Sequence, residues 1–483
     1  MDVGSSGVRA ALYDVLARPL RATEVRHEYA SRTDTQGASE ADADELIRVV
    51  GRSISEALAG AVHADVVGVG VSTFWHGLVA ADPGGRALTP LYLWSDTRAA
   101  DDAERLRGRL DAEAVRQRTG CPVHASYWPA KLAWLRRERP ELWRRPTLWL
   151  SFGDLLYMRL FGGAGTSLSM ASGTGLFRLE DMAWDGALLD LLHIDGDSLP
   201  PIAESDRGLD ARSRRRWPRL ADVPWFHAVG DGALANLGSG CTTSRRRSVT
   251  IGTSAAVRVM QRAPLRSKIP AGLWRYRLDA RRVVTGGALS AGGNVREWIE
   301  RGFNVDRLAL ERGLRTGEVG GHALTVLPHL AGERGPGYAA NARGAIAGLT
   351  LATTSLDVAR AGVEAMTIEL ARVARLLDRA SPRANLLVAS GGALLGSPAW
   401  MQLLADATGT PVGAGRSSEA SSRGAAIFAL ERLGIGDRAV EPRITRIQRP
   451  RSAVTAAFAA AEARQLRLYR ELISQPLEGD GTA

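Results

Sequence analysis

Polar and apolar positions alternate from Val8 to Tyr13, the period of a half-buried strand, and a second such run covers Ala22 to Tyr29. The period then changes. From Ala41 to Leu58 the apolar residues recur every three or four positions, which predicts an amphipathic helix. "DVVGVGVS" at 65–72 is a short apolar run bounded by turn signals and predicts a buried strand. Further on, Asp82-Pro83-Gly84-Gly85 predicts a turn between two strand-like arms. Helical periodicity then dominates around 100–118, 129–138 and 152–161.

A second block of similar design begins near Ser248. "SVTIGTSAAVRVM" predicts a strand, a Gly-Thr-Ser turn and another strand. Its "GTSAAVR" at 252–258 parallels "GSSGVR" at 4–9, each with two hydroxyl residues after a glycine and a Val-Arg pair soon afterwards. Matches this short also arise by chance. A strand-turn-strand device in each half nevertheless predicts two related lobes facing a shared ligand. "CTTSRRR" at 241–247 has no apolar periodicity and marks the boundary. The expected organisation is a first lobe at 1–241, a linker at 242–247, a second lobe at 248–436 and a C-terminal extension at 437–483. An Ala-rich helix from Ala453 to Ile473 would cap the surface of that extension.

Composition narrows the class. A chain of 483 residues is too long for one ordinary core, and its 45% apolar and 24% charged residues are those of a globular protein. No run approaches the roughly 18 apolar residues of a membrane span, and the start lacks the pattern of a secretory signal. Cys121 and Cys241 make neither a disulfide framework nor a CxxC pair, so a reducing cytoplasm is expected. The net charge of +10 raises nucleic acid as a partner, but the arginines are spread along the chain and no interleaved aromatic signature accompanies them. Lysine is nearly absent, with Lys131 and Lys268 standing out, so arginine has replaced it generally. A solvated basic surface is the better reading.

Several segments carry candidate chemistry. Backbone N–H groups and hydroxyls in turns such as Gly4–Ser6 and Gly252–Ser254 make anion sites, although Gly-Ser turns often only turn the chain. In "NLLVASGGALLGSPAW" a buried strand runs into Gly391-Gly392, and Ser397 and Pro398 suit the N-cap and first position of a helix. That order holds nucleotides, and it equally suits a tight connecting turn. Asp231 stands between two glycines in "AVGDGALANLGSG", open to a ligand; it is either a base for an attacking hydroxyl or a helix N-cap. His76 in "STFWHG" and Trp94, Asp96 and Arg98 in "LWSDTRA" suit a sugar, whose C–H faces stack on Trp and whose hydroxyls bond the polar groups.

Taken together, these residues resemble the FGGY family of carbohydrate kinases within the actin-like superfamily. The likeness runs in family order through "DVGSS", "HGLVAAD", "LWSDTRA", "GCPVHASYWPAKLAWL", "SLSMASGTGLF", "GDGALANLGSG", "TIGTSAAVR", "GGALSAGGNVREW", "LPHLAGERGP", "NARGAIAGL" and "ASGGALLGSPAWMQLLADATGTPV". It implies an α/β fold of two actin-like (ribonuclease H-like) lobes, each a mixed sheet flanked by helices, with the active cleft between them. "TGCPVH", "ASGTGLF" and "DGALANLG" are most similar to the gluconokinase branch, and Trp75 stands where the xylulokinase branch typically has Met.

The resemblance implies ATP with Mg²⁺ and phosphorylation of a sugar acid by a cytoplasmic monomer or homodimer. A pentulose or polyol kinase is one alternative, and a nucleotide-binding relative without sugar turnover is another. Residue by residue, Asp231 would be the base and Asp2 would help hold Mg²⁺ through water. Ser5 and Ser6 would line one side of the phosphates, and Gly252, Thr253 and Ser254 the other. Gly391, Gly392 and Ala393 would pack against adenosine. His76, Trp94 and Asp96 would contact the sugar. For an acidic substrate, Arg98, Lys131 or His124 would meet the carboxylate, an assignment that follows from their charge and hydrogen-bonding capacity rather than from the resemblance. Relatives usually carry several apolar residues before the residue matching Asp2. Their absence here leads to the expectation of a truncated start, with Asp2 beside the α-amino group and poorly supported.

Overall fold

The computed structural model describes residues 1–206, 208–264, 267–415 and 419–473, and the structural statements below concern those residues. In the first half, β1 (Asp2–Gly4), β2 (Gly7–Ala10), β3 (Val25–His27), β4 (Ser72–Thr73) and β5 (Val229–Gly230) form one sheet in the order β5-β4-β1-β2-β3. β1 and β2 are an antiparallel hairpin, while β4 lies parallel to both β1 and β5. Asp2 therefore belongs to a central strand. The α-amino group of Met1 donates to the Gly70 carbonyl at 3.0 Å, and burial lowers its pKa to about 6.

Helix α1 (Ala43–Ala59) buries Leu46, Val49, Val50 and Ile54 in the first-lobe core. Asp42 caps it by accepting from the N–H groups of Asp44 and Glu45, a cap contributing about 1 kcal/mol. Three expected elements are shorter than the pattern suggested. The run from Ala22 to Tyr29 opens with a 3₁₀ turn at Arg21–Thr23, leaving only β3 extended. "DVVGVGVS" pairs as a strand only at its end, in β4; before it, Val69 makes a single bridge to Trp225. The helix over 100–118 is two helices, Ala100–Arg109 and Ala112–Thr119, because Asp111 accepts from the Ala114 N–H and starts a new one.

The second half is built on longer strands: β6 (Arg246–Ile251), β7 (Ala255–Arg262), β8 (Trp274–Arg277), β9 (Arg282–Leu289), β10 (Leu386–Ser390), β11 (Val412–Gly415) and β12 (Ile444–Gln448). Their order is β8-β9-β7-β6-β10-β11-β12. β6 begins inside the expected linker, where Arg247 is buried and paired with Asp378 at 2.7 Å. The C-terminal extension does more than cap. It supplies edge strand β12, and a helix at its end, Ser452–Leu472, buries Phe458 and Ala461 in the second-lobe core.

The lobes are joined through helices α2 (Asp231–Gly238) and α3 (Ala420–Arg432). α3 comes late in the chain yet buries Ala425, Phe428 and Leu430 in the first-lobe core. The two helices touch backbone to backbone, since a Cβ at Gly424 would fall on the Leu234 carbonyl and one at Gly238 on the Ala420 carbonyl. A third cluster, with Leu78, Tyr92, Leu132 and Trp149, underlies the sugar-side segments. No helix among the described residues is long and apolar enough to cross a membrane.

Candidate active site

Sheet register brings the two key carboxylates together. Val3, Thr73 and Gly230 lie side by side on β1, β4 and β5, so Asp231 emerges where β5 ends and α2 begins. A cleft of about 800 Å³ between the lobes is lined by Asp2, Ser5, Ser6, Trp94, Asp231, Gly252–Ser254 and Gly391–Ala393. Asp2 accepts from the Ser72 hydroxyl at 2.6 Å and lies 3.5 Å from an Arg9 guanidinium nitrogen. Burial pushes its pKa up, with Ser72 and Arg9 opposing. Asp231 is the first residue of α2 and Gly230 occupies the cap position, so the N-cap alternative does not apply. Its carboxylate accepts from the Gly232 N–H at 2.6 Å. Burial raises its pKa to about 6, against the pull of Arg258 and with the push of Asp2.

The second lobe presents its turn across the cleft. β6 and β7 pair through five residues, ending at Ile251 opposite Ala255, so Gly252–Ser254 close a tight hairpin. β10 runs parallel to β6 and delivers Gly391 to the same level. Gly391 has φ +86° and lies so close to Ile251 that a Cβ would fall on its carbonyl. Ser397 caps the helix Pro398–Thr408 by accepting from the Trp400 N–H, with Pro398 at its first position.

The sugar-side residues form a supporting layer from which only Trp94 reaches the cleft wall. His76 sits at φ +68°, a strained left-handed backbone. Its Nδ1 donates to the Gly173 carbonyl at 2.6 Å, and its ring is edge-on to Tyr127 and Tyr276. Burial, aided by the charge of Arg334, holds the ring well below its ordinary pKa and therefore neutral. Lys131 is buried with Nζ donating to the carbonyls of His76 (2.9 Å) and Leu93 (2.7 Å), clamping the segments that carry His76 and Trp94. That burial lowers its pKa to about 7. Asp96 accepts from the Ser39 N–H and pairs with Arg98 at 2.5 Å; Arg98 also pairs with Glu40 at 2.8 Å and stacks over Trp134. His124 packs edge-on to Tyr338, its pKa lowered to about 3 chiefly by burial.

Several arginines in and around this cleft had no role in the sequence reading, among them Arg9, Arg258 and Arg334. Arg9 bridges Asp2 and Glu419, and Arg258 reaches toward Asp231 and Gly232. Arg334 crosses from the second lobe to lie 4.6 Å over the Trp94 ring, and among the described residues no ion pair engages it. Arg9 and Arg258 are the arginines of the paired Val-Arg signals, and Arg334 lies in "LPHLAGERGP". Only the fold shows where their side chains go.

The donor set suits Mg²⁺ better than a protein-caged ion. No group of three or more His, Cys, Asp or Glu side chains among the described residues could hold a metal. Asp2 lies at the cleft on the strand that leads into the Gly4–Ser6 turn, and Mg²⁺ commonly uses one or two carboxylates plus water and substrate phosphates.

Comparison with known proteins covers both halves of the chain. Residues 1–238 match the N-terminal domain of the FGGY family of carbohydrate kinases, and residues 248–431 match its C-terminal domain. A xylulose kinase of Staphylococcus xylosus is 26% identical over 435 residues, covering 89% of each chain. A gluconokinase of Bacillus subtilis is 25% identical over 453 residues, covering 90% of this chain and 87% of the relative. The crystal structure of a ligand-bound xylulose kinase from Lactobacillus acidophilus superposes with a TM-score of 0.90 at 25% identity, covering 98% of this chain and 97% of that one.

Proposed function

Because the chain belongs to the FGGY family of carbohydrate kinases, we propose that it transfers the γ-phosphoryl group of ATP to the terminal hydroxyl of a sugar acid, with gluconate giving 6-phosphogluconate. The observation that carries this reading is that Asp231 and Asp2 share one cleft with the hydroxyl turns of both lobes. Asp231 takes the proton of the sugar hydroxyl as that oxygen bonds to the γ-phosphorus. The bond from phosphorus to the β–γ bridging oxygen breaks, and ADP leaves with the electron pair. Ser5, Ser6, Thr253 and Ser254 and their backbone N–H groups receive the phosphate oxygens, while Gly391, Gly392 and Ala393 lie against adenosine. Mg²⁺ held by Asp2 through water would neutralise charge on the β- and γ-phosphates.

A base of this kind contributes roughly 10²–10⁴-fold, and only when ionised. Turnover is therefore lost as pH falls through about 6. For stability the sign is opposite. Folding favours the protonated form of Asp231, so its contribution is complete below its unfolded value and is lost as pH rises through about 6.

Two features support a sugar acid. "TGCPVH", "ASGTGLF" and "DGALANLG" resemble the gluconokinase branch. In addition, Arg334 stands over Trp94 with no acidic partner among the described residues, whereas Arg98 is paired twice, Lys131 is held by carbonyls and His124 is neutral. Arg334 is therefore the side chain assigned to the substrate carboxylate, replacing the three considered from sequence. The likeness to a xylulose kinase favours a pentulose as the second reading. A panel of gluconate, xylulose, glycerol and related sugars with coupled ADP detection separates them. The highest kcat/KM is expected with gluconate, and a higher value with xylulose overturns the assignment.

A further inference from the structure

The two lobes build the same three-residue arrangement behind their turns. In the first, Asp2 lies two positions before Gly4, bonds to Ser72 on the neighbouring parallel strand at 2.6 Å and faces Arg9 from the following strand at 3.5 Å. In the second, Thr250 lies two positions before Gly252, bonds to Ser390 on the neighbouring parallel strand at 2.9 Å and accepts from Arg258 Nη1 at 3.2 Å. The plan is shared but the charge is not. Arg9 is balanced by Asp2 and by Glu419 at 2.9 Å, whereas Arg258 finds only a hydroxyl at the matching place.

The charge of Arg258 is directed across the lobe boundary. Its Nε and Cζ lie 2.9 and 3.3 Å from where a Cβ on Gly232 would stand, so the guanidinium rests against the residue following Asp231. Its carbonyl accepts from Asn236 Nδ2, further along α2, at 3.5 Å. Arg258 is thus attached to the base-bearing helix by its backbone and to the second-lobe sheet by its side chain. The charged groups acting on Asp231 are Asp2 from β1, Arg258 from β7 and Arg334 from the segment after Leu327. From the start of α3, Ser421 donates to the Asp231 carbonyl at 3.2 Å, while neighbouring Glu419 is held by Arg9.

We propose that Arg258 is the positioning residue for the catalytic base: its guanidinium, brought from the second-lobe sheet against Gly232 and without a carboxylate of its own there, holds the neighbouring Asp231 carboxylate in its ionised form. This rests on reading Asp231 as the base of a sugar kinase. Arginine stays charged at any working pH, so the device has no titration of its own. It also makes the state of the base depend on how the two lobes meet.

The test reads the carboxylate directly. Protein labelled with ¹³C at the aspartate carboxyls is titrated by NMR, and the Asp231 signal is identified by its loss in Asp231→Asn. In Arg258→Met the midpoint of that signal is expected to move up by roughly one unit or more, the effect of removing a nearby opposite charge. Arg258→Lys, which restores a cation, should return most of the shift. An unchanged midpoint in Arg258→Met, with the fold intact by melting temperature, overturns the proposal. A fall in turnover at every pH with no movement of the acid limb of kcat/KM also overturns it. The NMR arm needs no sugar. A shift in Arg258→Met, together with wild-type protein that turns over no sugar, would reject the kinase reading and leave the Arg258–Asp231 coupling standing.

Discussion

The turns Gly4–Ser6 and Gly252–Ser254 face each other across the cleft, and the contrast between their supports shows how one local device is given two duties. The second-lobe turn ends a hairpin of six- and eight-residue strands joined through five residue pairs. The first-lobe turn ends strands of three and four residues joined through three. The longer hairpin carries a neutral Thr250 where the shorter one carries Asp2. The first lobe thus keeps its ion pair at home, and the second directs a positive charge toward Asp231, the proposed base. Similar backbones carry different chemistry because one side chain in each differs in charge.

The largest effect that separates base from turns is expected in Asp231→Asn. Turnover should fall by about 10³-fold, within the range for a general base, while nucleotide affinity stays within twofold in a fluorescence titration. Equal losses in both would show that Asp231 serves the nucleotide rather than the hydroxyl. Next comes Asp2→Asn, which removes the charge peculiar to the first turn. The Mg²⁺ concentration for half-maximal rate should rise roughly 10- to 100-fold, as for outer-shell partners of metals. An unchanged Mg²⁺ titration would take the metal away from that lobe.

Thr250→Asp makes the second arrangement like the first and gives Arg258 an acid of its own. The acid limb of kcat/KM, set by Asp231 near pH 6, is expected to rise by about one unit, with lower activity below neutrality and near-normal activity above pH 8. The smallest effects belong to single turn hydroxyls. Ser5→Ala and Thr253→Ala should each raise KM for ATP about two- to tenfold, the worth of one hydrogen bond, and leave the acid limb in place. A large loss in only one of the two would end the equivalence of the turns.

Much of the scaffold was legible in the residue pattern because it depends on neighbours in sequence. The helix expected over 41–58 forms at Ala43–Ala59, since its apolar stripe and the Asp42 cap are both local. The β6–turn–β7 hairpin and the Ser397-Pro398 helix start followed for the same reason. "DVVGVGVS" failed as a full strand because pairing needs a neighbouring backbone at each step, and Val69 finds only Trp225. In the site, Asp2, Asp231 and the turns carry readable signals, whereas Arg98 and Lys131 look like ligands in sequence and are engaged elsewhere in space.

The sequence by itself determined the family likeness, the paired hydroxyl turns and Asp231 between its glycines, all short-range patterns of residue type. Tertiary structure alone decided which cations remain available. Lys131 is consumed by two carbonyls, Arg98 by two carboxylates and Arg9 by Asp2 and Glu419, while Arg258 and Arg334 reach from the second lobe to Asp231 and Trp94. The physical reason is that a charge acts according to its partners and distance. In this molecule some partners share a lobe, as Arg98 and Glu40 do, and others meet across the cleft, more than a hundred residues apart along the chain for Arg334 and Asp231.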